Sequence, residues 1–383
     1  MKKRWTLILV LIGFALVGKP QTNYKVIAYY GGKMPVELIP AEKLDVINFA
    51  FAEIDPQTGR LMISDSARDT VIFKQLVELK NRNPKLKVLI SVGGWGRSKW
   101  FSNVANGAEN RKVFAESCVA FLRNYQFDGV DVDWEFPVNG GLPENIYRKK
   151  DKRNYTLLLK DLRTALDRDG QYLLTAAVTA SPDYVKNIEP EEMARYLDWF
   201  NVMTYDFHGQ NEQGVDRYTN FNAPLDAVHN DPVKKPYNRL LNVKAAVQYY
   251  LKKGIPSFKI IPGAPFYAKG YAHVPPENHG LFQKYKGVPV INGENKPYFT
   301  FYELDHDYVN KNGYVRYWCN EAQVPWLYHS KKRIFISYDD EQSVKAKAEY
   351  VRNNHLGGLM FWELSQDKEG KLLKVIVETL KKN

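Results

Sequence analysis

Cysteine is nearly absent from this chain, which has only Cys118 and Cys319 among its 383 residues. Two cysteines allow at most one bridge, so a disulfide framework of the kind that stabilises small exported domains is excluded. Cys118 is spaced with Phe114, Phe121 and Leu122 as on the buried face of a helix. That spacing indicates core packing, although one bridge between the two cysteines remains open.

Long apolar runs are also scarce. The one clear run, residues 7–17, follows a basic start and precedes a Gly-Lys-Pro sequence. It is too short to span a bilayer comfortably and has the order of a secretory signal peptide. We predict a signal peptide at residues 1–20 and a mature chain, residues 21–383, that is secreted or periplasmic. No cysteine follows the run, so a lipid anchor there is not supported, and no second membrane-span candidate exists.

No basic stripe, low-complexity linker or short-period repeat is present. The net charge is +11, but the lysines and arginines are scattered through polar segments such as 149–153 and 244–253. A nucleic-acid-binding chain concentrates its basic residues on one face, so we expect no nucleic-acid partner. The chain is 44% hydrophobic and long enough to bury a substantial core. We expect a monomer.

Eight strand-like apolar runs follow one another along the chain. They are residues 26–30, 46–54, 88–93, 130–135, 173–180, 199–206, 259–267 and 357–364. Segments with helical spacing separate most of them, including residues 69–80, 110–125, 155–167 and 242–253. Alternating strands and helices predict a parallel α/β sheet, and eight repeats predict closure into a (βα)8 TIM barrel.

The regular spacing breaks between residues 269 and 334. This stretch is rich in Tyr, Phe, Gly, Pro and Asn and shows no clear helix. Two strand-like pieces, 297–302 and 314–317, and a turn-like segment at 292–295 predict a small α+β insertion before the last strand. A connection this long in a compact domain needs structure or function of its own.

The fourth strand carries an unusual set of acidic residues. Asp131, Asp133 and Glu135 alternate with two valines and a tryptophan, so the three carboxyls share one face, roughly 6.6 Å apart. Carboxylates this close repel one another, which raises the pKa of at least one of them. Proteins accept this unfavourable arrangement mainly at sites where the carboxyls take part in catalysis. A solvated edge strand and a metal site are the alternatives, but no histidine or further acidic cluster flanks the strand. We favour a general acid, with no metal and no cofactor.

Aromatic and polar residues gather at the predicted strand ends, where barrel enzymes form their sites. They are Tyr29, Ser91, Trp95, Met203, Tyr205, Asp206, Tyr267 and Trp362. Rings that stack on sugar faces, beside groups that bind hydroxyls and amides, are typical of carbohydrate sites. A single tryptophan is more often core, but their grouping favours binding.

Four motifs make the chain resemble the family 18 glycoside hydrolases, the chitinase family, from about residue 24 to 367. They are SVGGW at 91–95, DGVDVDWE at 128–135, MTYDFHG at 203–209 and LGGLMFW at 356–362. The insertion is similar to the family's α+β insertion, which lines a deep cleft.

The resemblance implies a retaining mechanism in which the substrate assists. Glu135 would protonate the glycosidic oxygen and then activate water, while the substrate's own N-acetyl carbonyl attacks the anomeric carbon. Asp133 would bind the acetamide N–H and Tyr205 the acetamide carbonyl. Asp131 would either share a proton with Asp133 or serve as structural support only.

The resemblance also implies which residues bind the sugar. Trp362 would form the floor under the sugar at the cleavage point, with Trp95 and Met203 lining the site. Tyr29, Asp206 and Tyr267 would bind the distorted sugar, and Ser91 would support the acidic strand from behind. Two positions depart from the family pattern: Lys269 stands where an arginine is common, and Asn211 where many relatives have a tryptophan.

Three functional hypotheses follow. The first is an exported chitinase that acts on chitin or chitooligosaccharides. The second is a chitin-binding lectin without turnover, although such relatives typically lose the residue that Glu135 retains. The third keeps the chemistry but directs it to N-glycans or other N-acetylated glycans.

Overall fold

Eight parallel strands close into a barrel in the computed structural model, which describes residues 23–210, 216–232 and 237–382. Each strand pairs with the next, and β8 pairs with β1. The predicted TIM barrel is therefore confirmed. The strands are β1 Lys25–Tyr30, β2 Val46–Ile54, β3 Lys87–Gly93, β4 Gly129–Asp133, β5 Leu173–Thr179, β6 Trp199–Met203, β7 Ile260–Pro265 and β8 Gly358–Trp362. A short strand, Leu61–Met62, extends β2 as a hairpin.

Several strands end earlier than their sequence pattern predicts, and β4 and β6 are the two that bear on the site. β4 stops at Asp133, although the alternation continues to Glu135, and β6 stops at Met203 rather than at Asp206. The partner of β4 on one side, β3, ends at Gly93, where φ is 108° and the chain turns away. Without a neighbour to bond, the following residues become loop, and Glu135, Tyr205 and Asp206 lie just beyond the strand ends.

Helices surround the barrel. The longer ones are Ser66–Glu78, Ala108–Tyr125, Asp151–Asp169, Val243–Lys252, Glu341–Asn353 and Lys371–Leu380. Shorter ones are Phe101–Ala105, Pro182–Val185 and Pro190–Met193. Some of these helices begin with a side-chain cap: the Asp65 side chain accepts from the backbone N–H of Arg68, and the Asn242 side chain accepts from that of Ala245. The four helices predicted from periodicity are all present.

The core has two layers. The larger one lies between the strands and the helices and includes Phe73, Phe114 and Cys118. The smaller one fills the barrel itself with inward side chains such as Ile27, Leu89 and Ile261. Because side chains alternate along a strand, the next inward positions toward the carboxyl ends are 29 and 91, where polar side chains begin.

The predicted insertion is present between β7 and β8. It is a five-stranded antiparallel sheet of Tyr267–Tyr271, Tyr298–Thr300, Val315–Cys319, Val324–His329 and Ile334–Ser337. The turn at Asn292-Gly293 joins two short strands, Val290–Ile291 and Glu294–Asn295. The strand expected at 297–302 is wrong in its second half, where helix Phe301–Asp307 begins. Thr300 and Glu303 form a capping box that starts this helix.

Two predictions concern residues outside the described part of the chain. They are the signal peptide at residues 1–20 and the departure from the family pattern at Asn211. Cys118 and Cys319 are both free thiols. Of the helices in the described ranges, none is both long and apolar enough to cross a bilayer.

Candidate active site

Asp131 is the centre of a hydrogen-bond network inside the barrel. Its carboxylate accepts from the Tyr29 hydroxyl at 2.8 Å, the Ser91 hydroxyl at 2.7 Å, the Thr175 hydroxyl at 2.5 Å and the Asn201 amide at 3.1 Å. The four donors come from four other strands. Burial raises the pKa of Asp131, and these hydrogen bonds oppose the rise because they favour the charged form.

The parallel register explains why these donors meet. Ser91, Asp131 and Thr175 are direct partners across β3, β4 and β5, so their inward side chains lie in one row. Thr175 and Asn201 were missed by sequence reasoning. Each is a polar residue inside an otherwise apolar strand, and that exception could have identified them.

Asp133 is buried but differently surrounded. Its Oδ1 has no hydrogen-bond partner among the described residues, and no bond joins it to Asp131. The proton sharing expected between the two is thus not seen as a direct contact, since donors from other strands surround Asp131. Burial, then the charges of Glu135 and Asp131, raise the pKa of Asp133 well above its ordinary value. Asp133 therefore holds an acceptor that none of the described residues satisfies.

Glu135 lies on the loop after β4 and is only partly buried. Its backbone N–H donates to the Ser98 hydroxyl at 2.9 Å, and its carbonyl accepts from the Asn145 amide at 2.9 Å. These two hydrogen bonds fix the backbone of Glu135 and therefore the point from which its side chain extends. Burial, followed by the charge of Asp206, raises the pKa of Glu135 to about 8. The side chain is thus suited to carry a proton at neutral pH.

The glycine pair after β3 allows a close approach of two elements. A Cβ on Gly93 would lie 2.1 Å from the carbonyl oxygen of Asp133, and one on Gly94 would lie 2.5 Å from the Phe51 ring. The Gly94 N–H donates to the Asp133 carbonyl at 2.8 Å. Only glycine fits at these positions, so the two glycines of SVGGW follow from packing against β4 and against Phe51 of β2.

Aromatic rings form the floor of the barrel mouth. Trp362 is partly buried and stacks on Phe51, with ring centroids 5.4 Å apart and planes at 17°. Tyr29 contacts Trp362 from another side at 5.6 Å. Met203 packs in the same inner cluster, whereas Trp95 stands 53% exposed on the loop after β3. Sequence reasoning did not identify Phe51, because the residues around it have the pattern of an ordinary apolar strand.

Tyr205, Asp206 and Tyr267 lie together just beyond the ends of β6 and β7. The Tyr267 hydroxyl donates to Asp206 at 2.7 Å, and the Tyr205 and Tyr267 rings meet edge to face. The Tyr205 hydroxyl points to the sulfur of Met360 at 3.9 Å, a weak acceptor. Burial, then the charge of Asp133, raise the pKa of Tyr205 well above its ordinary value, so its hydroxyl remains a donor.

The family follows from the match of the chain to known proteins. Residues 25–367 match the family described as glycosyl hydrolases family 18. The chain belongs to glycoside hydrolase family 18. This confirms the resemblance seen in the four motifs.

Individual relatives of this family 18 chain share both sequence and fold. Chitinase A1 of Niallia circulans is 43% identical over 86% of this chain and 49% of its own length, so the chain spans about half of that protein. A chitinase from Bacillus thuringiensis superposes with a TM-score of 0.86 at 35% identity, covering 93% of this chain and 69% of that one. A family 18 N-acetylglucosaminidase from Paenibacillus barengoltzii gives 0.80 at 35% identity, covering 93% of this chain and all of that one.

Proposed function

We propose that this chain is an exported retaining chitinase that hydrolyses β-1,4 bonds between N-acetylglucosamine units, with Glu135 as the general acid and base. The family supports glycoside hydrolysis. The names of the relatives, two chitinases and an N-acetylglucosaminidase, support substrates built of N-acetylglucosamine. The basic and apolar start of the chain supports export through a signal peptide at residues 1–20.

The observation that carries the proposal is the unsatisfied Oδ1 of Asp133. A buried acceptor without a partner costs free energy unless a ligand supplies a donor. An acetamide offers one N–H donor and one carbonyl acceptor. Asp133 supplies the acceptor and Tyr205, whose hydroxyl has only a weak partner, supplies the donor. Together they match the N-acetyl group of the sugar.

The electrostatics support substrate assistance rather than a protein nucleophile. A second carboxylate that attacks the anomeric carbon has to be ionised. The pKa of Asp133 is raised well above its ordinary value by burial and by its acidic neighbours, which favours its protonated, non-nucleophilic form. The acetamide oxygen held by Tyr205 is the nucleophile that the geometry favours.

The proposed reaction has two steps. The Glu135 carboxyl gives its proton to the glycosidic oxygen while the bond from that oxygen to the anomeric carbon breaks. The acetamide oxygen forms a new bond to the same carbon and yields an oxazolinium ion. Water then attacks this carbon, its proton returns to Glu135, and the ring of the ion opens to give a product with retained configuration.

The test uses chitohexaose with the wild-type protein, Glu135→Gln and a control variant, Glu349→Gln. Glu349 is exposed on helix Glu341–Asn353, so its substitution leaves turnover unchanged. Products are resolved by length and by anomer soon after mixing. We expect shorter β-anomeric products from wild type and control, and a loss of at least about 10³-fold in Glu135→Gln.

Three results would contradict the proposal. Initial products of the α-anomer would exclude retention. Binding of intact hexamer to wild type and Glu135→Gln alike, without cleavage, would favour the lectin hypothesis. Release of glycans from N-glycosylated protein, with chitohexaose left uncut, would favour the third hypothesis, in which the same reaction acts on N-glycans.

A further inference from the structure

The ion pair between Lys269 and Asp206 lies at the edge of the proposed site. The Lys269 ammonium lies 2.6 Å from Oδ1 of Asp206, the same oxygen that accepts from the Tyr267 hydroxyl at 2.7 Å. The ammonium also donates to the carbonyl of His208 at 3.2 Å. Lys269 is therefore anchored to a carboxylate and to the backbone of the loop after β6.

The surroundings hold this lysine in place. Its side chain is 11% exposed, against 53% for that of Asp206, so the cation is the more deeply buried partner. A Cβ on Gly209 would lie 2.6 Å from the Lys269 nitrogen and 2.8 Å from its Cδ. The loop thus has no side chain at 209, and the lysine stem occupies that space.

Asp206 does not depend on Lys269 for its position. Its backbone N–H donates to the Asn222 side chain at 3.1 Å, and the Tyr267 hydroxyl binds its carboxylate. These two contacts remain if the lysine loses its charge. The contribution of Lys269 is therefore mainly electrostatic.

Other ionisable groups surround the pair on several elements. Besides burial, the charge of Asp206 raises the pKa of Glu135, Tyr205, Tyr267 and Tyr271. His208 Nδ1 lies 3.3 Å from Oδ1 of Asp216, and, besides burial, the charge of Glu135 raises the pKa of Asp133. Within the described part of the chain, Lys269 is the cation that pairs with Asp206. It is therefore the group that opposes the effect of Asp206 on the acid.

We propose that Lys269 is a positioning residue that balances the Asp206 carboxylate and thereby sets the highest pH at which Glu135 keeps the proton it donates. The inference rests on the proposed role of Glu135. An unbalanced Asp206 charge disfavours the ionised form of Glu135, so Glu135 would retain its proton to a higher pH. Lys269 limits this effect.

The experiment measures kcat/KM against pH on a soluble chitin oligomer for wild type, Lys269→Met, Lys269→Arg and Asp206→Asn. The alkaline limb reports the free-enzyme ionisation of the acid. We expect a wild-type midpoint near pH 8, in line with the pKa of Glu135. Lys269→Met should move this midpoint up by about 0.5 pH unit, and Asp206→Asn should move it down by a similar amount. Lys269→Arg, which keeps the charge, should stay within about 0.2 unit of wild type.

A second readout does not need turnover. The Glu135 carboxyl carbon is titrated by NMR in protein labelled at its glutamates and is assigned from the signal lost in Glu135→Gln. The shifts in Lys269→Met and Asp206→Asn should again have opposite signs. Unchanged midpoints in folded Lys269→Met, or shifts of the same sign in both variants, would overturn the inference. Wild-type protein that titrates as expected but does not cleave the oligomer would instead count against the proposed function alone.

Discussion

At the scale of single residues, three carboxyls on one strand and its loop have three different surroundings. Asp131 accepts from four donors, Asp133 has an oxygen with no partner among the described residues, and Glu135 is partly buried beside the charge of Asp206. In the proposed mechanism, the same carboxyl chemistry would therefore serve support, ligand binding and proton donation. The difference arises from which neighbouring strands supply donors.

Replacing Tyr205 by phenylalanine tests the acetamide contact. In the proposed mechanism its bond to the acetamide oxygen strengthens as that oxygen attacks, so removal of the hydroxyl should lower kcat by about 10² to 10³-fold with little change in KM. Steady-state kinetics on chitooligosaccharides measure both constants.

The matched control for this variant is Tyr250→Phe. The Tyr250 hydroxyl donates to the carbonyl of Thr179 in the outer core. Its loss should cost about 1 kcal/mol of unfolding free energy and leave kcat unchanged. An increase in KM alone for Tyr205→Phe would show that the hydroxyl binds the ground state and has no special role in the transition state.

Sequence reasoning identified Asp131, Asp133 and Glu135 because alternation is a local property of the chain. It did not identify Thr175, Asn201 or Phe51, whose roles depend on strands that are distant in sequence. The bond between Asn201 and Asp131 joins residues 70 positions apart. The pairing of β4, β5 and β6 in the sheet brings them together.

At the scale of elements, helix Glu341–Asn353 is attached to the loop before it by a buried ion pair. Lys347 on the helix pairs with Asp339, and both side chains are 1% exposed. The Ser343 hydroxyl donates to the same carboxylate at 2.6 Å. Arg316 of the insertion pairs with Asp340 at 2.6 Å, so this helix start also joins the insertion to the barrel.

Removing one partner of this ion pair should be costly. Lys347→Met leaves the Asp339 charge buried without its cation, and we expect a loss of about 3–5 kcal/mol in the free energy of unfolding. Urea denaturation at neutral pH measures it. Lys345→Met on the same helix is the control, because Lys345 is 60% exposed, and it should change stability by less than about 0.5 kcal/mol. Equal losses in the two variants would exclude a special role for the buried pair.

At the scale of the whole molecule, the site carboxyls should make stability depend on pH. The pKa of Glu135 is raised from 4.5 to about 8. Between these values the folded protein holds a proton that the unfolded chain releases, so the free energy of unfolding falls as the pH rises through this window. The raised pKa of Asp133 acts in the same direction.

Glu135→Gln should therefore stabilise the protein at alkaline pH. Glutamine cannot ionise, so this variant should match wild type near pH 4 and exceed it in Tm by a few degrees at pH 9. Thermal unfolding followed by circular dichroism at both pH values measures the difference. Glu349→Gln should keep the wild-type pH dependence. A Glu135→Gln variant with that same dependence would mean that Glu135 does not titrate in this window.

The barrel, the insertion, the family and the acidic strand could be predicted from the sequence, because periodicity and motifs depend on residues that are close together along the chain. Three other features were set only by the tertiary structure: β4 ends at Asp133, Oδ1 of Asp133 has no hydrogen-bond partner among the described residues, and Lys269 pairs with Asp206. These properties depend on which strands and loops become neighbours. Burial and the charges across the barrel mouth then set the pKa of Glu135, and both come from residues that lie far apart along the chain.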